Sequence, residues 1–223
     1  MARLAFAAGL AEAANILRET GNRVVRVPEL AASVGGSRRL KRMPARVLIL
    51  RDERGVPVAE PADVEPSLEE ARRVLREQAG IELVSALEPL VATLEDSAPP
   101  EALDSPCAEG SWRADFGPGG AFFRRFAARG PRTGSGAPIT VFVVRDVLGK
   151  AGCSLGPLVD YVTVDMGALR GRTKRVLLHE LGHACGLPHS RLADNLMLPE
   201  RMGERLESWQ VAVLRSSRHV AFR

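Results

Sequence analysis

The stretch HELGHACGLPHS, residues 179–190, holds three of the four histidines in this 223-residue chain. His179 and His183 are four apart. On an α-helix four residues turn about 400° and rise about 6 Å, so both imidazoles share one face. That is the reach two nitrogens need to ligate one Zn²⁺ at roughly 2.0–2.1 Å. Glu180 lies beside the pair. It is too close in sequence to be an easy third ligand but well placed to hold a water. Gly186 ends the helix, because glycine takes the left-handed conformation at little cost. Pro188 prevents the helix from resuming, and His189 swings back as the third ligand. Three protein ligands leave one position for water, the mark of a catalytic rather than a structural zinc. The plainer reading is a helix with satisfied surface or core histidines. A chance match to all five positions of H-E-x-x-H-x-x-G-x-x-H is on the order of one in 10⁵ for this length, which decides against it. The expected chemistry is hydrolysis. Zinc lowers the pKa of a bound water from about 16 toward 7. Glu180 takes the proton as the water attacks a carbonyl and returns it to the leaving group, while the metal stabilises the oxyanion. One Zn²⁺ is expected. Ca²⁺ stays open, since no Asp-rich run demands it.

These residues carry a family resemblance. HELGHACGLPH resembles the metzincin zinc-binding consensus, and ADNLMLP, residues 193–199, resembles the metzincin Met-turn with Met197 at its centre. Within metzincins the chain is most similar to matrixins. Ser190 follows His189, Asn195-Leu196-Met197-x-Pro199 matches the turn, and LESWQVAVLRSSRHV, residues 206–220, resembles the closing helix. The resemblance is firm over about 176–215 and only architectural upstream of that. It implies a zinc endopeptidase acting on protein or peptide. It also implies an α+β fold: a twisted mixed β-sheet with backing helices, an active-site helix, and a small C-terminal subdomain with the Met-turn and final helix. Met197 would pack under the imidazoles as an apolar floor, which for the bare residue is almost the same statement as a core methionine. Two departures matter. Only His219 lies outside the motif, so the second, structural zinc of vertebrate matrixins has no ligands here. Pro199 stands where astacin-like and serralysin-like proteins carry a tyrosine. The chain therefore looks like a minimal, bacterial matrixin-like protease with a single zinc.

The same resemblance makes residues 151–157, with Cys153, Ser154, Leu155, Gly156 and Pro157, the edge strand beside the cleft. Free N–H and C=O groups there would bind an extended peptide by strand addition. Composition alone fits a surface turn around Gly152 and Gly156 equally well. Leu198 and Met202 beyond the Met-turn suggest an apolar side chain just after the cut.

The positioning elements read as follows. Residues 45–53 have a continuous apolar centre and predict a buried strand. Residues 66–80 predict an amphipathic helix with Ser67 and Glu70 as a capping box and Gly80 closing it. Residues 81–95 read as a strand region, 96–120 as a long loop rich in Pro, Gly and Ser, and 121–130 as a short helix. Residues 138–147 are the clearest central strand. Residues 153–157 and 160–165 predict a strand pair before the zinc helix, which is expected to start near Thr173. The catalytic domain is expected over 45–223, with an upper subdomain to about 186 and a lower one over 187–223.

Residues 1–44 read as a basic, helical extension. Residues 1–46 hold nine Lys and Arg against three acidic residues, whereas the remainder holds 22 against 24. EAANILRETGNRVVRVPELAASVGGSRR resembles the helix-turn-helix opening of tetracycline-repressor-type regulators. Gly21, Glu29, Leu30, Ala31, Gly35 and Ser37 fall at matching spacings, but Pro44 cuts the recognition helix short. Two function classes stay open: a zinc endopeptidase, and a regulatory protein whose basic N-terminus contacts nucleic acid. Glu180, which a non-catalytic descendant usually loses, favours the enzyme, and nucleic acid is the less favoured partner. Among the cysteines, Cys185 reads as a small buried residue rather than a ligand. Cys107 and Cys153 pair if the protein is exported. MARLAFAAGLAEA makes a weak signal peptide, which leaves cytoplasmic and exported locations open. No apolar run reaches the roughly 18 to 20 residues of a membrane span, and a monomer is expected.

Overall fold

The six residues ITVFVV are all buried, and this forces their placement. A strand buried on both faces belongs in the middle of a largely parallel sheet covered on both sides. In the computed structural model they form β5, Ile139–Val144, at the centre of the sheet. The structure describes residues 39–107, 115–127, 136–171, 174–199 and 203–222, together with Leu17 and Thr20. The helix-turn-helix-like segment lies outside the described residues.

The strand expected over 45–53 is β1, Lys41–Arg51. It starts before the boundary expected at residue 44, because Lys41 and Met43 are both fully buried. Lys41 to Ala45 pair in parallel with β2, Ile81–Ser85, and Val47 onward pairs with β3, Val91–Ser97. The single strand region expected over 81–95 is therefore two strands that share one edge of β1. On its other edge β1 pairs in parallel with β5, and β5 with β8, Tyr161–Asp165. β7, Gly152–Ser154, runs antiparallel to β8 at the sheet edge. The result is a mixed α/β fold built on a central, mostly parallel sheet.

The helix expected over 66–80 is α1, Pro61–Val74, followed by a wider turn at Leu75–Ala79. Its true start is marked by the Glu60 N–H donating to the Asp63 carboxylate at 2.9 Å, with Pro61 at the first helical position. Ser67 is buried inside the helix rather than capping it. Gly80 ends the unit with φ 61°. The loop expected over 96–120 contains a short helix, α2, Pro100–Leu103, and a two-residue strand, β4, Asp104–Ser105. β4 pairs with β6, Asp146–Val147, a continuation of the central strand. The helix expected over 121–130 is α3, Pro118–Phe126.

Two apolar cores flank the sheet. One lies between the sheet and α1, and takes in Val64, Leu68, Ala71 and Leu75 with Val141, Val143, Val162 and Val164. The other, on the opposite face, gathers Leu48, Leu50, Phe123, Phe142 and Tyr161. No helix among the described residues is long and apolar enough to cross a membrane.

Candidate active site

Asp165 caps α4, Met166–Arg170, by accepting from the Ala168 N–H at 2.7 Å. The active-site helix α5 follows as Val176–Ala184, three residues later than the expected Thr173. Arg175 at its N-cap explains the placement. Its guanidinium pairs with Glu70 of α1 at 2.9 Å and with Glu204 at 3.2 Å, so the helix entrance is tied to two other segments. α5 packs on β7 and β8 and against α1. All but one of its residues are buried, which fits a helix apolar on nearly every side. It ends at Gly186, φ 89°, whose N–H donates to the His183 carbonyl at 2.8 Å, and the Leu187 N–H donates to Gly182 at 3.0 Å. These bonds satisfy carbonyls that the helix end leaves open and turn the chain back.

That reversal brings His189 beside His179 and His183. Ligand-capable atoms of the three lie within 4.8 Å of one another. Two rings are held from behind. His179 Nδ1 is 2.9 Å from the Leu196 carbonyl and His183 Nδ1 is 2.7 Å from the Leu187 carbonyl. A carbonyl only accepts, so each Nδ1 carries the proton and each Nε2 is left with its lone pair. The two Nε2 atoms face each other at 3.1 Å. Two lone pairs at that distance repel unless positive charge lies between them. Ligands about 2.0–2.1 Å from a tetrahedral zinc stand roughly 3.3–3.4 Å apart, close to the spacing present here. The donor set therefore fits Zn²⁺. Burial also keeps the rings neutral. His183 is pushed down to about 4, chiefly by burial and then by the nearby His179, and burial likewise lowers His179.

Glu180 is 5% exposed. Without a metal, burial pushes its carboxyl up to about 8, with the Lys150 ammonium the opposing influence; a cation held by the three histidines would act in the same direction as Lys150 and draw it down. It faces β7, where Gly152 lies directly against its side chain.

The loop after His189 supplies the floor. Met197 is fully buried beneath α5, and a Cβ placed on Gly182 would stand 2.8 Å from its sulfur. Asn195 anchors the turn. Its carbonyl oxygen accepts from the Met197 N–H at 2.9 Å, and its amide exchanges two hydrogen bonds with Gln210, at 2.9 and 3.1 Å. Gln210 belongs to α6, Ser208–Ser216, so this pair joins the turn to the final helix. The Ser190 N–H closes the loop on the Met197 carbonyl at 2.9 Å.

The edge segment is shorter than the expected 151–157. Gly152, Cys153 and Ser154 form β7, whereas Gly156, φ 66°, and Pro157 lie in a single 3₁₀ turn with Leu155 before it. The left-handed glycine turns the strand away from the sheet. Cys153 points to the face opposite α5 and is disulfide-bonded to Cys107, with Cα atoms 5.7 Å apart. Cys185 is buried in the core behind the helix.

Sequence reasoning named Gly152 and Asn195 only as turn residues, without the contacts they make, and gave Gly182 and Gln210 no role. Gly182 had a signal: glycine inside a helix costs about 1 kcal/mol against alanine, so it marks a close approach. Gly152 and Gln210 had none, because their partners Glu180 and Asn195 are distant in sequence, and Asn195 showed only as a member of the turn.

No known family model matches the chain. No curated protein matches it either. Among solved structures it is similar to a zinc-dependent peptidase from Methanocorpusculum labreanum, at 17% identity, over 81% of this chain and 95% of that one, with a TM-score of 0.38. A likeness that distant carries no argument about the site, which rests on its own geometry.

Proposed function

We propose that the protein is a zinc-dependent endopeptidase of metzincin type, closest to the matrixins, with His179, His183 and His189 as ligands of one catalytic Zn²⁺ and Glu180 as general base. The observation that carries this reading is the pair of Nε2 atoms facing each other at 3.1 Å, both rings fixed from behind by backbone carbonyls, with His189 beside them. A structural pair of histidines has no need of that arrangement. A zinc ion held there supplies a water of lowered pKa and a Lewis acid for the substrate carbonyl. The chain's own groups do the rest. Glu180 accepts the proton of the attacking water and returns it to the departing amine nitrogen. The Leu187 and Leu196 carbonyls keep two imidazoles oriented through the cycle. Met197 and Gly182 form an apolar, close-packed floor that keeps bulk water from beneath the site. The outer edge of β7 carries no strand partner among the described residues. Its backbone groups suit an extended peptide laid antiparallel to it, with Gly152, Cys153 and Ser154 as the contact residues.

The test couples metal to turnover. Protein purified without chelator should hold one zinc per chain by elemental analysis. Glu180→Gln should keep that zinc and lose hydrolysis of a random peptide library by about 10²-fold or more, because the water stays while its proton acceptor goes. Two tightly held zincs, or none, would sink the single-site reading. Unchanged hydrolysis in the variant would assign the base elsewhere.

A further inference from the structure

We propose that Gly152 is a positioning residue for Glu180: the edge strand seats the carboxylate through a contact that any side chain at 152 would displace. This rests on the peptidase reading and adds a residue to it. A Cβ placed on Gly152 would stand 2.7 Å from Glu180 Cγ, 2.9 Å from Cδ and 2.8 Å from Oε1. Three side-chain atoms, not only the tip, lie inside the separation that real Cβ atoms keep. One partner must therefore yield, and the strand is poorly placed to do so. Ala151 is held by its carbonyl, which accepts from the Asp165 N–H at 2.9 Å. Gly152, Cys153 and Ser154 are in register with Val164, Thr163 and Val162 of β8. Cys153, the very next residue, is fixed to Cys107 by the disulfide. Glu180 is the softer partner, since a side chain rotates at less cost than a paired strand shifts. A methyl group at 152 would thus push the carboxylate off its seat. Misplacing a reacting group by about 1 Å costs on the order of 10²-fold in rate.

The contact has two measurable signatures. The first is read in metal-free protein without substrate. Gly152→Ala should lower the unfolding midpoint when Glu180 is present. In a Glu180→Ala background the same change should cost far less, because the methyl enters vacated space. Equal costs in the two backgrounds would overturn the seating contact. The second is kinetic. Gly152→Ala should lower kcat by about 10²-fold with KM and zinc content nearly unchanged. In a Glu180→Asp enzyme, whose carboxylate is withdrawn by one methylene, it should cost much less. A fall in kcat with a rise in KM, alike in both backgrounds, would make Gly152 a merely structural residue. A wild type that hydrolyses no peptide would sink the peptidase reading alone, since the stability arm needs neither metal nor turnover.

Discussion

Gly182 occupies the middle of α5, where alanine would ordinarily add about 1 kcal/mol of helix stability. Here the new methyl would meet Met197 Sδ at 2.8 Å, Met197 Cε at 3.3 Å and Leu187 Cδ1 at 3.5 Å. Overpacking of this kind costs about 1–3 kcal/mol, so Gly182→Ala should destabilise rather than stabilise. The same change in a Met197→Ala background should recover most of the loss. Thermal unfolding of the four proteins decides it, and a higher midpoint for Gly182→Ala alone would contradict the packing. Residues of this type show what single positions reveal in advance. The clustering of His179, His183 and His189 was legible because ligand chemistry restricts residue type and helical geometry restricts spacing. Gly152 was not legible. Its requirement comes from a side chain 28 positions along the chain, and the strand around it reads like any surface turn.

The link between the turn and the last helix belongs to the scale of elements. Asn195 and Gln210 are both buried and satisfy each other's amides, and Asn195 also holds the Met197 N–H. Asn195→Ala removes one partner from each bond. Leaving buried polar groups unpaired costs about 1–3 kcal/mol. The effect should reach the metal. Leu196 lies between Asn195 and Met197 and orients His179 through its carbonyl, and loss of such outer partners typically weakens metal affinity about 10–100-fold. Competition with a chromophoric chelator should show that weakening, and unaltered affinity would mean the turn is held by packing alone. Elements were legible where periodicity was strong, as in the all-apolar β5 and the body of α1. They were misplaced where a single residue had two uses. Ser67 looked like a helix cap, yet α1 runs through it from a cap at Glu60. Leu90 and Val91 looked continuous with Ile81, yet the chain leaves β2 after Ser85 and returns to β1 as β3. Pairing of that kind is decided by the partner strand, which a local pattern cannot contain.

At the scale of the molecule, the buried cations Lys41 and Arg215 tie the final helix to β1 and to the segments beside it. Lys41 Nζ donates to the Arg215 carbonyl at 2.6 Å, and Arg215 donates to the carbonyls of Ala79 at 2.7 Å and Arg39 at 2.8 Å. These bonds extend the framework around β1 back to Arg39, ahead of its first apolar run. Polar anchoring by Lys and Arg leaves no hydrophobic signature in a sequence, so the run marked only the apolar part of β1. His219 lies in the same region. It is fully buried, with Nδ1 2.8 Å from the Ala137 carbonyl. Burial, and then the adjacent Arg218 charge, pushes its pKa down to about 3 from an ordinary 6.5. Between those values the unfolded chain binds a proton that the native protein refuses. Stability contributed by His219 is therefore present above about pH 6.5 and is lost as the pH falls toward 3. His219→Asn retains an amide N–H for Ala137 but cannot titrate. It should be less stable than wild type at pH 7, from the lost ring packing, and the gap should narrow steadily between pH 6.5 and 3. Denaturant unfolding of both proteins, metal-free and across that range, measures the difference. The depressed His179 and His183 are common to both chains and cancel in it. A gap that stays constant with pH would mean that His219 takes up its proton alike in the folded and unfolded chains.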